Sequence, residues 1–281
     1  MISQRMKSMK RKVRYYYYYD ERNDDFANNG IDTKKLPKDY EYLPKSRLFR
    51  FFRPVVYHFI RGVCRVCELL GIAMRGKNKR VLKKRPDRSK GYFIYGNHTS
   101  SFSDAVTGAI ATFPRWCCVV CSPDALSIKG IRALVRFVGA LPVPSSRKNY
   151  ADFVAAVDAL YEKGSPIVIY PEAHIWPKYN GIRDFSDVSF SYPVRLGAPC
   201  FVKTTVYKKK RGGRTKGVVI YDGPFFPNAS LGEREARAEL CERVKSAMRS
   251  RAEEYSSAAD ARYVYIKTDS PDQVRTETVR R

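Results

Sequence analysis

The sequence predicts an α/β fold with a mostly parallel central sheet flanked by helices. Short apolar runs typical of strands alternate along the chain with segments of helical periodicity, which is the pattern of repeated strand–helix units. The chain has 281 residues, of which 44% are hydrophobic, so it can bury a large core and is not wholly disordered. No window offers about 18 consecutive apolar residues, so the sequence predicts no ordinary membrane-spanning helix.

Changes in composition divide the chain into four regions. Residues 1–45 are polar and basic without a core-forming period, and we expect them to form a flexible N-terminal arm. In residues 46–75, apolar side chains recur every three or four positions and arginines fall on the opposite side, which is typical of an amphipathic helix. Residues 76–267 are expected to form the α/β domain, which opens with a basic linker at 77–90, and residues 268–281 a C-terminal tail.

The elements of the α/β domain follow from hydrophobic pattern and from punctuation by Gly and Pro. Apolar runs of four to eight residues indicate strands, and apolar spacings of three and four between them indicate helices. The pair Gly212-Gly213 permits positive φ and predicts an exposed hairpin tip. Strands are therefore predicted at 92–95, 116–121, 140–143, 166–170, 200–207, 218–221 and 263–266, and helices at 103–112, 129–138, 150–163 and 231–255.

Charge and cysteine content narrow the class of partner and compartment. The chain carries 53 Lys and Arg against 28 Asp and Glu, a formal net charge of +25. This charge implies an anionic partner, which is a nucleic acid, a membrane surface or a phosphorylated substrate. Seven cysteines without the spacing of a disulfide framework favour a reducing compartment, and five tyrosines follow the basic start where a secretory signal would be apolar.

A histidine and an aspartate follow the first strand of the α/β domain. His98 leaves that strand through a Gly-Asn turn, and Asp104 lies six residues on, at the start of a predicted helix. Ligands gather at the carboxyl ends of parallel strands, and an imidazole oriented by a carboxylate is a natural general base at neutral pH. In the alternative interpretation, Asp104 is a helix-capping residue and His98 an ordinary loop histidine.

A second group of polar side chains follows the strand at 166–170. Glu172 and His174 come directly after it, and two cations, Lys178 and Arg183, lie a few residues further on. Either cation could hold a phosphate, Arg183 by a bidentate fork. In the alternative, Glu172 simply pairs with one of these cations. No metal site is predicted, because no ligand motif supports one.

Four blocks of sequence resemble the lysophospholipid acyltransferase family, which includes the bacterial 1-acylglycerol-3-phosphate acyltransferases. The blocks are GNHTSSFSDA, SIKGIRALVRFVGALPVPSSR, VIYPEAHIWP and LGAPCFV, and they occur in the family's order within residues 91–207. The resemblance implies acyl transfer from an acyl thioester, either acyl-CoA or acyl carrier protein, to the hydroxyl of a lysophospholipid such as lysophosphatidate. It implies no bound cofactor beyond this co-substrate.

The resemblance also implies a role for each matching residue. His98 would take the proton from the acceptor hydroxyl, and Asp104 would orient it. Arg147 resembles the second-block arginine that helps to bind the acceptor phosphate, and Glu172 resembles the third-block glutamate. No acyl-enzyme is required, which agrees with the lack of a G-x-S-x-G nucleophile elbow.

The sequence departs from the family pattern at two places. Five residues separate His98 from Asp104, where the family usually has four. The third block reads Glu-Ala-His-Ile where the family has Glu-Gly-Thr-Arg, so the arginine that would contact the acceptor phosphate is missing from its place. Arg183 or Lys178 could substitute for it, and His174 could add a donor.

Together these observations predict an O-acyltransferase on the cytoplasmic face of a membrane, peripheral or monotopic. The helix within 46–75 would lie in the interface of an anionic bilayer, where each basic residue contributes about 1 kcal/mol, so the charge requires no nucleic acid. In the alternative, this helix packs on the sheet with its arginines in water. Two other functions stay open, a basic nucleic-acid-binding protein without a recognised motif and a non-catalytic lipid-binding member of the same fold.

Overall fold

The computed structural model describes residues 12–27, 36–37, 39–126, 132–209, 215–255 and 262–280. The helices and strands are, in chain order, β1 (Lys12–Tyr18), α1 (Arg47–Leu69), β2 (Arg75–Lys77), β3 (Tyr92–Gly96), α2 (Ser101–Ala111), β4 (Cys118–Cys121), α3 (Arg132–Phe137), β5 (Ala140–Pro142), α4 (Arg147–Glu162), β6 (Pro166–Ile169), α5 (Ser191–Leu196), β7 (Cys200–Lys209), β8 (Thr215–Phe225), α6 (Glu233–Glu254), β9 (Tyr263–Lys267) and β10 (Arg275–Arg280). The predicted hairpin tip and the first residues of the helix predicted at 129–138 lie outside the described residues.

A seven-stranded sheet in the order β2-β8-β7-β3-β6-β4-β5 forms the centre of the molecule. Strands β3 to β7 run parallel to one another, and β8 is antiparallel to β7, so the predicted mostly parallel α/β fold is confirmed. Phe93 on β3 lies opposite Ile167 on β6. Because these two strands are parallel neighbours, the residues that follow each of them meet at one edge of the sheet.

Helices cover both faces of the sheet and bury its central strands completely. Alternate side chains of β3 point to opposite faces. Phe93 packs in a core with residues of α4 and α6, whereas Ile94 packs in a second core with residues of α2 and of the 79–83 turn. The residues predicted to form a basic linker at 77–90 therefore contribute to the fold, because Val81 and Leu82 are buried and β2 pairs with β8.

Helix α1 attaches to the domain through its polar side. The Tyr57 hydroxyl donates to the Arg115 carbonyl at 3.1 Å and accepts from the Cys117 N–H at 3.0 Å. The Arg53 guanidinium lies 4.3 Å from the centre of the Trp116 ring. The alternative in which this helix packs its apolar side on the sheet and leaves its arginines in water is therefore wrong.

The apolar side of α1 consequently faces outward. Phe51 and Phe59 are 71% and 72% exposed. This apolar face of α1 consists of Leu48, Phe51, Phe52, Val55, Phe59, Val63, Val66, Leu69 and Leu70. Exposed cations lie at both of its ends, Arg47 and Arg50 at one and Arg75 and Lys77 at the other. Among the helices of the described residues, none is both long and apolar enough to cross a bilayer.

Described residues near both ends of the sequence form a second sheet, where a flexible arm and tail were expected. Strand β1 lies between β9 and β10 in the order β10-β1-β9. The tyrosine run alternates between the two faces of this terminal sheet, and Tyr16 packs with Phe26, Tyr265 and the buried Trp176. Residues 12–27 and 262–280 therefore pack on one another and on Trp176, which corrects the expected flexible arm and tail. Strand β9, which was expected in the α/β domain, belongs to this terminal sheet.

Candidate active site

The turn after β3 is fixed by contacts to the neighbouring strand. The Asn97 side chain accepts from the Thr205 N–H at 2.7 Å and donates to the Thr205 carbonyl at 2.9 Å. A side chain at Gly96 would place Cβ 2.9 Å from the Tyr170 ring, so glycine permits the close approach of this tyrosine. The chain then enters α2, whose first turn is capped by Ser100 and contains Asp104.

His98 and Asp104 form a hydrogen-bonded pair at this edge of the sheet. The distance from His98 Nδ1 to Asp104 Oδ2 is 2.9 Å, and the same oxygen accepts from the backbone N–H groups of Thr99 and Ser100 at 3.0 Å. The His98 ring stacks on Tyr170 with centroids 4.6 Å apart. Because Nδ1 contacts the carboxylate, Nε2 is the nitrogen that can exchange a proton with a substrate. This contact forms although five residues separate His98 from Asp104.

Asp104 remains ionised although it is buried. Burial raises its pKa, but the Lys203 ammonium and the His98 ring outweigh this effect and lower the pKa to about 2. The side chain of His98 is 18% exposed, whereas that of Asp104 is 2% exposed. A protected carboxylate thus orients an imidazole that solvent and substrate can reach, which is the arrangement of a general base.

Glu172 and Arg183 form a buried pair beside the histidine. Glu172 Oε2 accepts from the backbone N–H of His98 at 2.9 Å and from Arg183 Nη2 at 3.3 Å, and Oε1 accepts from the Arg183 N–H at 3.0 Å. Burial raises the pKa of Glu172, and Arg183 opposes this shift. Both side chains are 0% exposed. The expectation that Arg183 holds a phosphate is therefore wrong, because its guanidinium is enclosed and paired, and Glu172 supports the histidine backbone.

The side chains of the other predicted site residues lie outside this pair, although the His174 carbonyl accepts from Arg183 Nη2. Lys178 lines a cavity of about 170 Å³ that also contains Thr99, Ser100, Ser101 and Tyr207. His174 is partly exposed, with its Nδ1 3.8 Å from Asp25. Arg147 is exposed at the first residue of α4. Among the described residues, no cluster of Cys, His, Asp and Glu is arranged to hold a metal ion.

Two residues of the site escaped the sequence analysis. Lys203 on β7 places Nζ 2.9 Å from Asp104 Oδ1, and Tyr170 carries the stacking ring under His98. A lysine inside the apolar run CFVKTTVY is the signal that could have singled out Lys203, because a charged residue in a buried strand requires a partner.

Breaking the buried pair should destabilise the fold. In Arg183→Met, Glu172 loses its cation while it stays buried, which we expect to lower the free energy of unfolding by about 3–5 kcal/mol. Denaturant titration followed by circular dichroism measures this loss. Lys163→Met serves as the control, since Lys163 is exposed at the end of α4. Equal stability of Arg183→Met and the unmodified protein would contradict the structural role of the pair.

Comparison with known proteins identifies the domain. The model of the Acyltransferase family matches residues 74–207. No curated protein sequence matches the chain significantly. Among solved structures, the 1-acyl-sn-glycerophosphate (LPA) acyltransferase PlsC from Thermotoga maritima is similar, with a TM-score of 0.54 and 16% identity over 77% of this chain and 86% of that chain. At this identity the likeness shows a common fold. Residues 74–207 are therefore similar to the Acyltransferase family, and the chain has a PlsC-like fold, in agreement with the family that the four sequence blocks resemble.

Proposed function

We propose that this protein is an O-acyltransferase that moves a fatty acyl chain from an acyl thioester to the free hydroxyl of a lysophospholipid of the lysophosphatidate type. The observation that carries the proposal is the His98–Asp104 pair, in which a buried carboxylate orients a partly exposed imidazole at the carboxyl end of β3. The family of the domain supports the reaction class.

In the proposed mechanism, His98 Nε2 takes the proton of the acceptor hydroxyl. The oxygen attacks the thioester carbonyl, a C–O bond forms, the C–S bond breaks, and the proton passes to the departing thiolate. Asp104 holds Nδ1–H and stabilises the imidazolium that forms between these two proton transfers. Acyl-CoA or acyl carrier protein supplies the thioester, and no covalent acyl-enzyme is formed.

Lys178 is the best candidate for the contact to the acceptor phosphate. The family's third-block arginine is missing, and Arg183 is enclosed by its pair with Glu172. Lys178 lines the cavity beside Thr99, and its backbone N–H donates to the Thr99 carbonyl at 3.1 Å, which ties it to the loop of His98. An ammonium group binds phosphate as a point charge, so this site would recognise charge more than shape.

The apolar face of α1 is the proposed contact with an anionic bilayer, on the cytoplasmic side. Its phenylalanines are exposed, and cations at both ends of the helix fit the anionic headgroups that border a bilayer interior. Helix α1 packs against α2, whose first turn carries Asp104. These contacts hold α1 against the domain with its apolar face outward.

Replacement of the proposed base should abolish turnover. We expect His98→Ala to lose roughly 10²–10⁴-fold in kcat, because a general base contributes about that much. The measurement is acyl transfer by the full chain in mixed vesicles with lysophosphatidate and either acyl-CoA or acyl carrier protein. His58→Gln is the matched control, since His58 lies on α1 away from the dyad.

The donor that yields product identifies the co-substrate. A folded His98→Ala variant with most of its activity would contradict the general-base role. If the unmodified, vesicle-bound protein formed no product from either donor with any lysolipid acceptor, the non-catalytic lipid-binding alternative would be favoured.

Removal of the Lys178 charge should weaken binding of the acceptor specifically. We expect Lys178→Met to raise the KM for lysophosphatidate roughly tenfold, the loss typical of one charged hydrogen bond, and to leave the KM for the acyl donor unchanged. Kinetics with the acceptor varied at a saturating donor concentration measure this effect. Lys163→Met, at the exposed end of α4, is the control. An equal change in both KM values would contradict the assignment.

Polar substitutions on the apolar face of α1 should release the protein from membranes. We expect Phe51→Ser/Phe59→Ser to lower partitioning into anionic vesicles by more than tenfold, since each buried phenylalanine contributes about 1.5–3 kcal/mol. Co-sedimentation with phosphatidylglycerol vesicles measures this partitioning. Phe226→Ser controls for loss of an exposed phenylalanine elsewhere. Unchanged vesicle binding, with salt-sensitive binding to nucleic acid, would support the nucleic-acid alternative instead.

A further inference from the structure

Lys203 is a fully buried cation that contacts the Asp104 carboxylate of the His98–Asp104 dyad. It lies on β7, and its Nζ is 2.9 Å from Asp104 Oδ1. The same ammonium group donates to the Tyr170 hydroxyl and lies 4.6 Å from the centre of that ring. None of the roles that the family resemblance implies uses this lysine.

Burial of the Lys203 ammonium group without a partner would cost free energy. An ammonium group loses its hydration in a buried strand, and only a close anion with good hydrogen-bond geometry offsets this loss. Asp104 provides this anion, and its own charge is compensated in return. Burial lowers the pKa of Lys203, and attraction to Asp104 opposes that shift. The two groups therefore form a buried ion pair directly behind the histidine.

This ion pair determines which Asp104 oxygen contacts His98 and how much net negative charge lies beside the imidazole. With Oδ1 held by Lys203, Oδ2 is the oxygen directed at His98 Nδ1. A carboxylate without a second cation would favour the protonated imidazolium, because opposite charges within a few ångströms stabilise each other. A protonated histidine cannot act as a base. The ammonium group cancels much of that attraction.

We propose that Lys203 is a positioning residue for His98, which compensates the charge of Asp104, disfavours the imidazolium form of His98 and fixes the orientation of its ring. The catalytic meaning of this inference rests on the proposed function. The charge compensation itself concerns only groups within the chain and can be measured without any substrate.

Other titratable groups surround the dyad, and none of them is changed in the Lys203 variants described below. Tyr170 stacks under the ring at the end of β6, and the Glu172–Arg183 pair contacts the backbone of His98. From β7, the Tyr207 hydroxyl hydrogen-bonds Thr99. Near Lys203, burial raises the pKa of Cys117 to about 12, so this thiol carries no charge at neutral pH. Lys203 is therefore the cation that directly compensates Asp104.

The test is a pH titration of the His98 signal by NMR in the full chain labelled with ¹³C at histidine. The chain has three histidines, and His98→Gln identifies the signal. We expect Lys203→Met to move the midpoint of His98 protonation upward by about one pH unit or more, the effect of removing one nearby charge. Lys203→Gln, which can still donate to Asp104, should move it in the same direction and provides a second variant if methionine unfolds the protein.

Two further variants separate charge from packing. Lys203→Arg keeps the charge and should keep the midpoint near that of the unmodified protein. Lys245→Met removes another largely buried lysine, which lies on α6 and pairs with Asp184 at 2.6 Å. This variant should not move the midpoint of His98 protonation. An unchanged midpoint in a folded Lys203→Met or Lys203→Gln variant would overturn the proposal.

Kinetics then connect the titration to catalysis. The acid limb of the kcat/KM profile should move upward with the NMR midpoint in Lys203→Met, whereas a purely structural role would lower the rate at every pH. If the midpoint moves but the unmodified protein transfers no acyl group, the proposed function fails and the charge compensation stands. If the unmodified protein is active and the midpoint does not move, the inference about Lys203 fails alone.

Discussion

The hydrogen bond from the His98 backbone N–H to the Glu172 carboxylate joins the two halves of the candidate site. It connects the turn after β3 to the turn after β6, which are neighbours only because those strands pair in parallel. Arg183 returns to the same carboxylate from eleven residues further along the chain. The Glu172 side chain therefore holds both the backbone of His98 and the buried Arg183, and this role requires no contact with substrate.

Distribution of charge explains both the interior and the surface of this protein. Inside, each buried ion meets its opposite, as in the pairs Lys203–Asp104 and Arg183–Glu172. On the outside, α1 reverses the usual arrangement of a surface helix, since Tyr57 and Arg53 pack on the domain and the phenylalanines of its apolar face point outward. A helix in this orientation lacks a partner for its apolar side within the described chain, and the surplus of positive charge is compatible with the anionic bilayer proposed above.

Local patterns predicted the parts of the structure that depend on local forces. Periodicity predicted most strands and helices of the α/β domain, but not β2 or α5. His98 and Asp104 were predicted from their place after a strand and at a helix start. Local patterns could not predict which distant segments pair with each other. The tyrosine run pairs with segments about 250 residues away, and no alternation of apolar and polar side chains marks β1 or β10. Whether Arg183 meets water or Glu172 depends on the path by which its loop returns, which no spacing encodes.

The terminal sheet has a consequence for the order in which the molecule is completed during synthesis. Strand β1 is made before the α/β domain, whereas both of its partners are made after it. Until they arrive, Trp176 lacks the stacked ring of Tyr265, which lies 5.0 Å away in the finished fold. The loop that carries Glu172 and Arg183 can reach its final packing only after β9 has been translated. Nascent chains would thus have a formed α/β core and an unfinished active site.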